Sequence, residues 1–436
     1  MPIATAFVEH EQDPFSVDGL RLRETRRQIS KLTNAKKAPK YDSVVIAGSG
    51  IGALCFAARL ARSDEFRGKV TIIAPEIQES RRLIDGVSLR GRAADYICAS
   101  LGVSHDTLVR QISGHASGKP ACYRATSAMA FEKKGKWQFT KSGAWLGGKN
   151  GSDRPIIYGA RNSRTTAGMW ELMQGLDIDY IPARVENKDQ MRDHAKGSNP
   201  LLVNVTYNPT LLGNQAPAKT SRKVCAVQAP FMVQPCGLKQ HAESGTAFAP
   251  LIRRDGIIDV GFVTPFSDPL SPRSTWYGIL ARVVDEKRGF DKDYELKTMT
   301  DELLGMCDAL GLTVDDPEET LAAACVPSAP YGKPPKSALG TLELKASYYG
   351  GNPAYYADGM ISAAMGGLMG AEAVISGDDP ADVVWRAGKA IRFSNYLWWL
   401  ETTKVAGIAD AVMRLNVNLA MAYPHSWGFS RWAAAA

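Results

Sequence analysis

The residues best placed to do chemistry lie in one short turn: Gly48, Ser49, Gly50, Ile51, Gly52 and Ala53. Their spacing is Gly-x-Gly-x-x-Ala, the spacing of a main-chain cradle for a diphosphate. The first glycine permits a sharp exit from a strand. The second, lacking a side chain, lets phosphate oxygens reach the backbone, and the alanine lets the following helix lie close on the strand. Such a turn holds an anion with free N–H groups and the positive end of a helix. The same residues could form a glycine-rich turn and nothing more, so the flanking sequence decides between the two readings.

Those flanks supply the required frame. "SVVIAG" is a β-branched run of the kind found in a buried parallel strand. "ALCFAARLARS" spaces Leu54, Ala57, Ala58, Leu60 and Ala61 as a helix does, and "VTIIA", Val70 to Ala74, is a second buried strand. Strand, turn, helix and strand follow within about 30 residues, as a βαβ dinucleotide unit demands. One position departs from the pattern. The second strand ends in Ala74 where an acid usually grips a ribose, and Glu76, two residues on, is the candidate for that contact.

Other chemistries find little support. No Ser-His-Asp order and no paired carboxylates stand out, so no catalytic side chain is assigned. The six histidines are scattered without ligand spacing, and no metal site is expected. The seven cysteines form no Cys-x-x-Cys pair, which suggests neither a disulfide framework nor a zinc site. Several sit in apolar surroundings and read as reduced core residues, which favours a reducing, cytoplasmic compartment. The net charge of +7 on 436 residues is modest. Its densest stretch, Arg21 to Lys40, has no interleaved aromatics. It reads as a solvated, partly helical extension, not as a nucleic-acid arm. No apolar run reaches the roughly 18 residues of a spanning helix, so no membrane insertion is expected, and the first residues lack the pattern of a secretory signal.

Three further stretches accompany the glycine turn. "RRLIDGVSLRGRAADYICASLGV" brings Arg90 and Arg92 before a helix. "YGARNSRTTAGMWELMQGLDIDYIPARVE" runs from an extended piece ending at Arg161 into a helix and a strand, followed by the strand "PLLVNVTYN" with Thr206. "NPAYYADGMISAAMGGLMGAEAVISGDDP" carries Asp358, then Gly366, Gly367 and Gly370. In this order, over roughly residues 41 to 400, the chain resembles the flavoprotein monooxygenases with the p-hydroxybenzoate hydroxylase-like fold, and its layout is most similar to the styrene-monooxygenase type.

The resemblance implies an FAD site. Gly48 to Ala53 would hold the diphosphate, with Glu76 on the ribose and Thr206 beside the adenosine. Arg90, Arg92 and Arg161 would approach the cofactor. Asp358 would bind the ribityl chain, and Gly366, Gly367 and Gly370 would let a helix N-terminus approach the flavin ring. Departures from the family pattern are Ala357 in place of a glycine, Met365 near the place of a proline, and Tyr207 after Thr206. The Trp-x-Trp-x-Ile-Pro motif of many halogenases is not found, and "YLWWLE" is not that motif.

The implied fold is α/β, with a Rossmann-type FAD-binding domain, an inserted mixed β-sheet substrate domain and C-terminal helices. The expected boundaries are 1–40 for the extension, 41–220 with 340–390 for the FAD domain, with part of the substrate region inserted in it, 221–339 for the sheet domain and 391–436 for the C-terminal helices. Within the sheet region, Phe231, Met232, Phe248, Phe262, Phe266, Trp276 and Tyr277 are either pocket lining or simple packing. The implied activity is oxygenation of a small apolar, aromatic molecule through a flavin peroxy adduct. The Asp255-Gly256 context is poor for a nicotinamide motif. NADH or NADPH would therefore act through a partner reductase. A dehydrogenase or reductase on the same scaffold, and a non-redox cyclase or binding protein, stay open as alternatives.

Overall fold

The computed structural model describes residues 17–33, 38–77, 87–113, 121–123, 126–133, 136–141, 157–206, 211, 222–234, 246–254, 257–265, 276–286, 289–314, 321–327, 341–344, 359–389 and 391–392. Along the chain, helix α1 (Val17–Leu32) precedes β1 (Ser43–Ala47), α2 (Ile51–Ala61), β2 (Lys69–Ala74), β3 (Val87–Arg90), α3 (Gly91–Leu101) and α4 (His105–Ser113). Next come β4 (Ala121–Tyr123), β5 (Thr126–Lys133), β6 (Lys136–Lys141), β7 (Ile157–Arg161), α5 (Asn162–Leu172), β8 (Ile178–Pro182), α6 (Lys188–Asp193) and β9 (Pro200–Asn204). The second half holds β10 (Arg222–Val233), β11 (Thr246–Arg254), β12 (Ile257–Pro265), β13 (Trp276–Asp285), α7 (Lys292–Ala309), β14 (Leu312–Thr313), β15 (Ala322–Pro327) and β16 (Leu342–Glu343). It closes with α8 (Gly359–Ile375) and α9 (Pro380–Ala387).

The sheet that carries the glycine turn is parallel throughout, in the order β16-β9-β1-β2-β8. Its central strand, "SVVIA", is buried at every position, which explains the unbroken β-branched run. Helix α2 is apolar on nearly all sides, and residues Ile51 to Leu60 are buried. A helix of that kind must be covered on both faces. The sheet covers one; α8, itself buried from Ile361 to Ile375 except at Ala363 and Glu372, covers the other. Arg59 on α2 reaches Glu372 on α8 at 2.5 Å, a half-hidden ion pair that fixes their register. Helix α1 lies on α3, where the Tyr96 hydroxyl donates to Gln28 Oε1 at 2.8 Å. At least part of the basic N-terminal stretch is therefore packed, not solvated.

A second sheet runs β14-β10-β13-β12-β11-β5-β6, with β15 paired to β10. Its strands are antiparallel except at β11 and β5, which run parallel. Helix α7 packs on one face. There Phe231, Trp276, Leu280, Leu303 and Met306 form a core separate from that around α2. Asp291 caps α7 by accepting from the N–H groups of Asp293 and Tyr294. Strands β5 and β6 belong to this sheet although they precede β9 in the chain. Strands β3, β7 and β4 form a small antiparallel ribbon of their own.

One expectation is corrected here. Cys225 and Cys325 stand opposite each other in the β10–β15 register and form a disulfide, with Cα atoms 4.1 Å apart. The spacing of the cysteines along the chain hid this pair because its members lie 100 residues apart. The cysteines are therefore not all reduced, and the inference from them to a reducing compartment loses its support. Cys55, Cys98 and Cys307 are buried free thiols. Cys236 and residues 393–436 lie outside the described residues, as do the expected C-terminal helices. No described helix is long and apolar enough to cross a membrane.

Candidate functional site

All five strands of the parallel sheet point their carboxyl ends to one edge. From β1 the chain passes to β2 on one side, while β9 occupies the other side of β1. Crevices at such a reversal of strand order are where open α/β sheets bind ligands. Gly48 leaves β1 with φ +105°, a left-handed conformation that L side chains adopt only with strain. Its N–H donates to Ile73 O at 2.9 Å, which ties the turn to the end of β2. Ser49 is half-buried and Gly50 is exposed. Gly50 is the N-cap of α2 and supplies no side-chain cap, and the first turn carries no acid. A Cβ built on Gly50 would meet no atom within 4 Å. The N-terminal N–H groups of α2 have no intrahelical carbonyl to satisfy them, and the N-cap supplies no side chain in its place. That arrangement suits an anion and needs no side chain to hold it.

Gly52 has a different task. A Cβ there would stand 3.0 Å from Ala363 O on α8. Gly367 answers it from α8, where an added Cβ would meet Gly52 O and, at 2.8 Å, Cys55 Cβ. Gly370 lies over the ring of Phe56, and Gly366 is buried in the same helix. The structure thus brings the first and last glycine motifs together, and at Gly52, Gly367 and Gly370 the small residues serve helix–helix contact. Ala53 is wholly buried. Asp358 lies outside the described residues, immediately before α8 begins at Gly359.

The remaining candidates lie on several elements. Glu76 is exposed just past the end of β2. Beside it Tyr180 of β8 donates to the carbonyls of Ala74, at 3.1 Å, and Pro75, at 2.7 Å, and so closes off the strand end. Burial raises the Tyr180 hydroxyl above its ordinary value, and Glu76 adds to this through its charge. Arg161 ends β7 and is the N-cap of α5, as its place in the sequence foretold. Arg90 ends β3, and Arg92 stands in the first turn of α3. Their side chains lie outside what is described. The ribbon sets Val87 opposite Arg161 and Arg90 opposite Ile157, so these arginines share one small unit.

Thr206 belongs to a network that sequence reasoning missed. Asn204, fully buried at the end of β9, accepts from the Thr206 N–H at 2.9 Å and the Thr206 hydroxyl at 2.8 Å. Its own amide donates to Glu343 Oε2 at 2.8 Å, and Thr341 donates to Glu343 Oε1 at 2.6 Å. Burial pushes the Glu343 carboxyl up to about 7, against the pull of the bonds from Thr341 and Asn204. On the second sheet, Phe231 and Trp276 belong to the core under α7. Tyr277 points to the opposite face, where its hydroxyl donates to Gln228 and both residues are buried. Met232 is half-buried; Phe248 and Phe262 have no described side chain, and Phe266 lies outside the described residues.

No protein-family model matches the chain, and no curated protein matches its sequence. Solved structures do resemble it in shape. The halogenase PltM, solved in complex with ethyl mercury and mercury, aligns at TM-score 0.54 and 11% identity over 90% of this chain and 85% of that one. FqzB aligns at TM-score 0.49 and 14% identity over 88% of this chain and 86% of the other. CtdE, solved in complex with FAD, aligns at TM-score 0.45 and 11% identity over 91% and 100%. Of these three, the match to PltM exceeds a TM-score of 0.5, and at 11% identity it shows likeness of fold alone. The chain has the p-hydroxybenzoate hydroxylase-like fold, with a parallel sheet and a larger, mainly antiparallel sheet in one chain.

Proposed function

We propose that the protein is an FAD-dependent monooxygenase that oxygenates a small apolar, aromatic molecule and receives reduced flavin from a separate reductase. The observation that carries this reading is the uncapped N-terminus of α2 at the strand-order reversal, with the Cβ side of Gly50 facing free space. The backbone from Gly48 to Ala53 would hold the diphosphate. Glu76 would meet the ribose, Thr206 the adenosine side, and Arg90, Arg92, Arg161 and Asp358 the flavin side. Bound flavin supplies electrons for oxygen activation. The chain's own share is to bind, orient and keep water out.

The substrate's place in this reading is the face of the second sheet opposite α7. Tyr277 and Gln228 offer a hydrogen-bonding pair there, and Ile279 lies beside them, also buried. Such a surface fits an apolar ring with one polar substituent.

The test begins under nitrogen. The purified chain with added FAD is mixed with NADH or NADPH, and the flavin absorbance is followed. Retained yellow colour is expected, and bleaching by nicotinamide alone would sink the separate-reductase idea. A flavin reductase and ¹⁸O₂ are then added with a panel of aromatic substrates. Label appearing in a product only when the chain is present supports the monooxygenase. Oxidation of substrate without label would favour a dehydrogenase.

A further inference from the structure

The carboxyl ends of three adjacent strands are tied by a chain of buried polar side chains that the proposed function does not use. Glu343 of β16 sits in register with Asn204 of β9, which sits in register with Ala47 of β1. Glu343 is 4% exposed and Asn204 0%. The orientation of the Asn204 amide is dictated. Its oxygen accepts from the Thr206 main chain, so its nitrogen must face an acceptor, and Glu343 is that acceptor. Thr206 in turn lies against the glycine turn, its Cγ2 3.2 Å from where a Cβ on Gly48 would stand. The sequence of contacts therefore runs Glu343, Asn204, Thr206, Gly48.

We infer that Glu343 is a positioning residue of the dinucleotide cradle, acting through Asn204 and Thr206 to fix the wall against which Gly48 turns. The inference rests on the reading of that turn as a dinucleotide site. The network can be satisfied in either protonation state. Ionised, Glu343 accepts from both Asn204 and Thr341; protonated, it donates to the Thr341 hydroxyl, which can turn to accept, and still accepts from Asn204. What ionisation adds is a buried negative charge two residues removed, through Asn204 and Thr206, from the turn that would hold an anionic ligand. Among the described residues, no other charge contributes to the shift of this carboxyl. Strand β9 carries none, and on α9, which packs on β16, Asp382 and Arg386 pair with each other at 3.0 Å. The carboxyl titrates near neutrality because it is buried. Affinity for a diphosphate should therefore fall as pH rises through about 7.

The experiment compares wild type, Glu343→Gln and Glu343→Leu by fluorescence titration with FAD at pH 6 and pH 8. Glutamine can replace the protonated carboxyl bond for bond; leucine strands Asn204 and Thr341. Glu343→Gln is expected to bind as wild type does at pH 6 and to keep that affinity at pH 8, where wild type weakens severalfold. Glu343→Leu is expected to bind about tenfold more weakly at both, as the loss of one buried hydrogen bond implies. Leucine binding as well as wild type, or glutamine failing as leucine does, would overturn the assignment. Amide exchange at Gly48 and Thr206 in the FAD-free chain separates the two readings. If wild type does not bind FAD, the cradle reading fails. Faster exchange in the leucine variant than in the glutamine variant then upholds the positioning role, and equal exchange overturns it.

Discussion

At the scale of single residues, the same change at two glycines two positions apart should affect stability at one and not at the other. Gly48→Ala forces a side chain into φ +105° and against Thr206. It should cost about 1–2 kcal/mol of stability and abolish FAD binding. Gly50 has φ −68° and an open Cβ position, so Gly50→Ala should fold normally. It should still weaken FAD binding, because a methyl group would stand where phosphate oxygens approach. Urea unfolding and FAD titration of both variants check this, and equal losses of stability would contradict it. Glu343 makes a second prediction. Burial raises it from 4.5 to about 7, so between those values the folded chain holds the proton more tightly than the unfolded one. Its contribution is full below pH 4.5 and is lost as pH climbs to 7, by about 3 kcal/mol. Glu343→Gln should match wild type near pH 5 and unfold at higher urea at pH 8. The glycine turn was legible in the sequence because its spacing is local. Glu343 was not: one acid in "TLEL" reads as a solvent-facing position of an alternating strand, and only the neighbour β9 makes it a partner of Asn204.

Between elements, fit depends on contacts that the sequence does not order. The periodicity of α8 marks a buried helix and not what covers it. Two of its glycines make the contact with α2: Gly367 meets Gly52 O and Gly370 meets Phe56. Gly367→Ala should separate α2 from α8. It should lower stability by about 1–3 kcal/mol, the usual cost of overpacking, and a thermal melt measures it. The second sheet is joined to α7 by charge. Arg282, 3% exposed, binds Asp259 from β12 and both Glu295 and Glu302 from α7. Burial alone would pull its guanidinium down, but these carboxylates hold it above its ordinary value. Arg282→Met would take from the three carboxylates the guanidinium that joins them, and breaking a buried pair in this way costs about 3–5 kcal/mol. Loss of α7 docking, seen as faster amide exchange in Lys292–Ala309, is the expected sign. The strands and helices themselves were legible from period and turn residues; the partners of Arg282 lie up to 23 positions away and were not.

Across the whole molecule, the apolar residues fall into separate cores: one around α2 and α8, another between α7 and the second sheet, and a small one on the other face of the parallel sheet. Among the described residues, no element of the α7 sheet packs extensively on the helices of the first core. The agents that act on each are also different. The glycine turn belongs to the first core, so FAD at about 100 times its Kd should stabilise that part by about 2.7 kcal/mol. The Cys225–Cys325 bond lies in the second sheet and closes a separation of 100 residues. A loop of that size contributes about 4–5 kcal/mol in the chain-entropy treatment. Scanning calorimetry should therefore show two transitions, since chains with more than one core depart from two-state unfolding. FAD should raise one of them, and a reductant that opens the disulfide should lower the other, leaving FAD affinity unchanged. A single transition that both agents displace would mean that the two cores unfold together, and reduction of the distant disulfide would then also weaken the cofactor site.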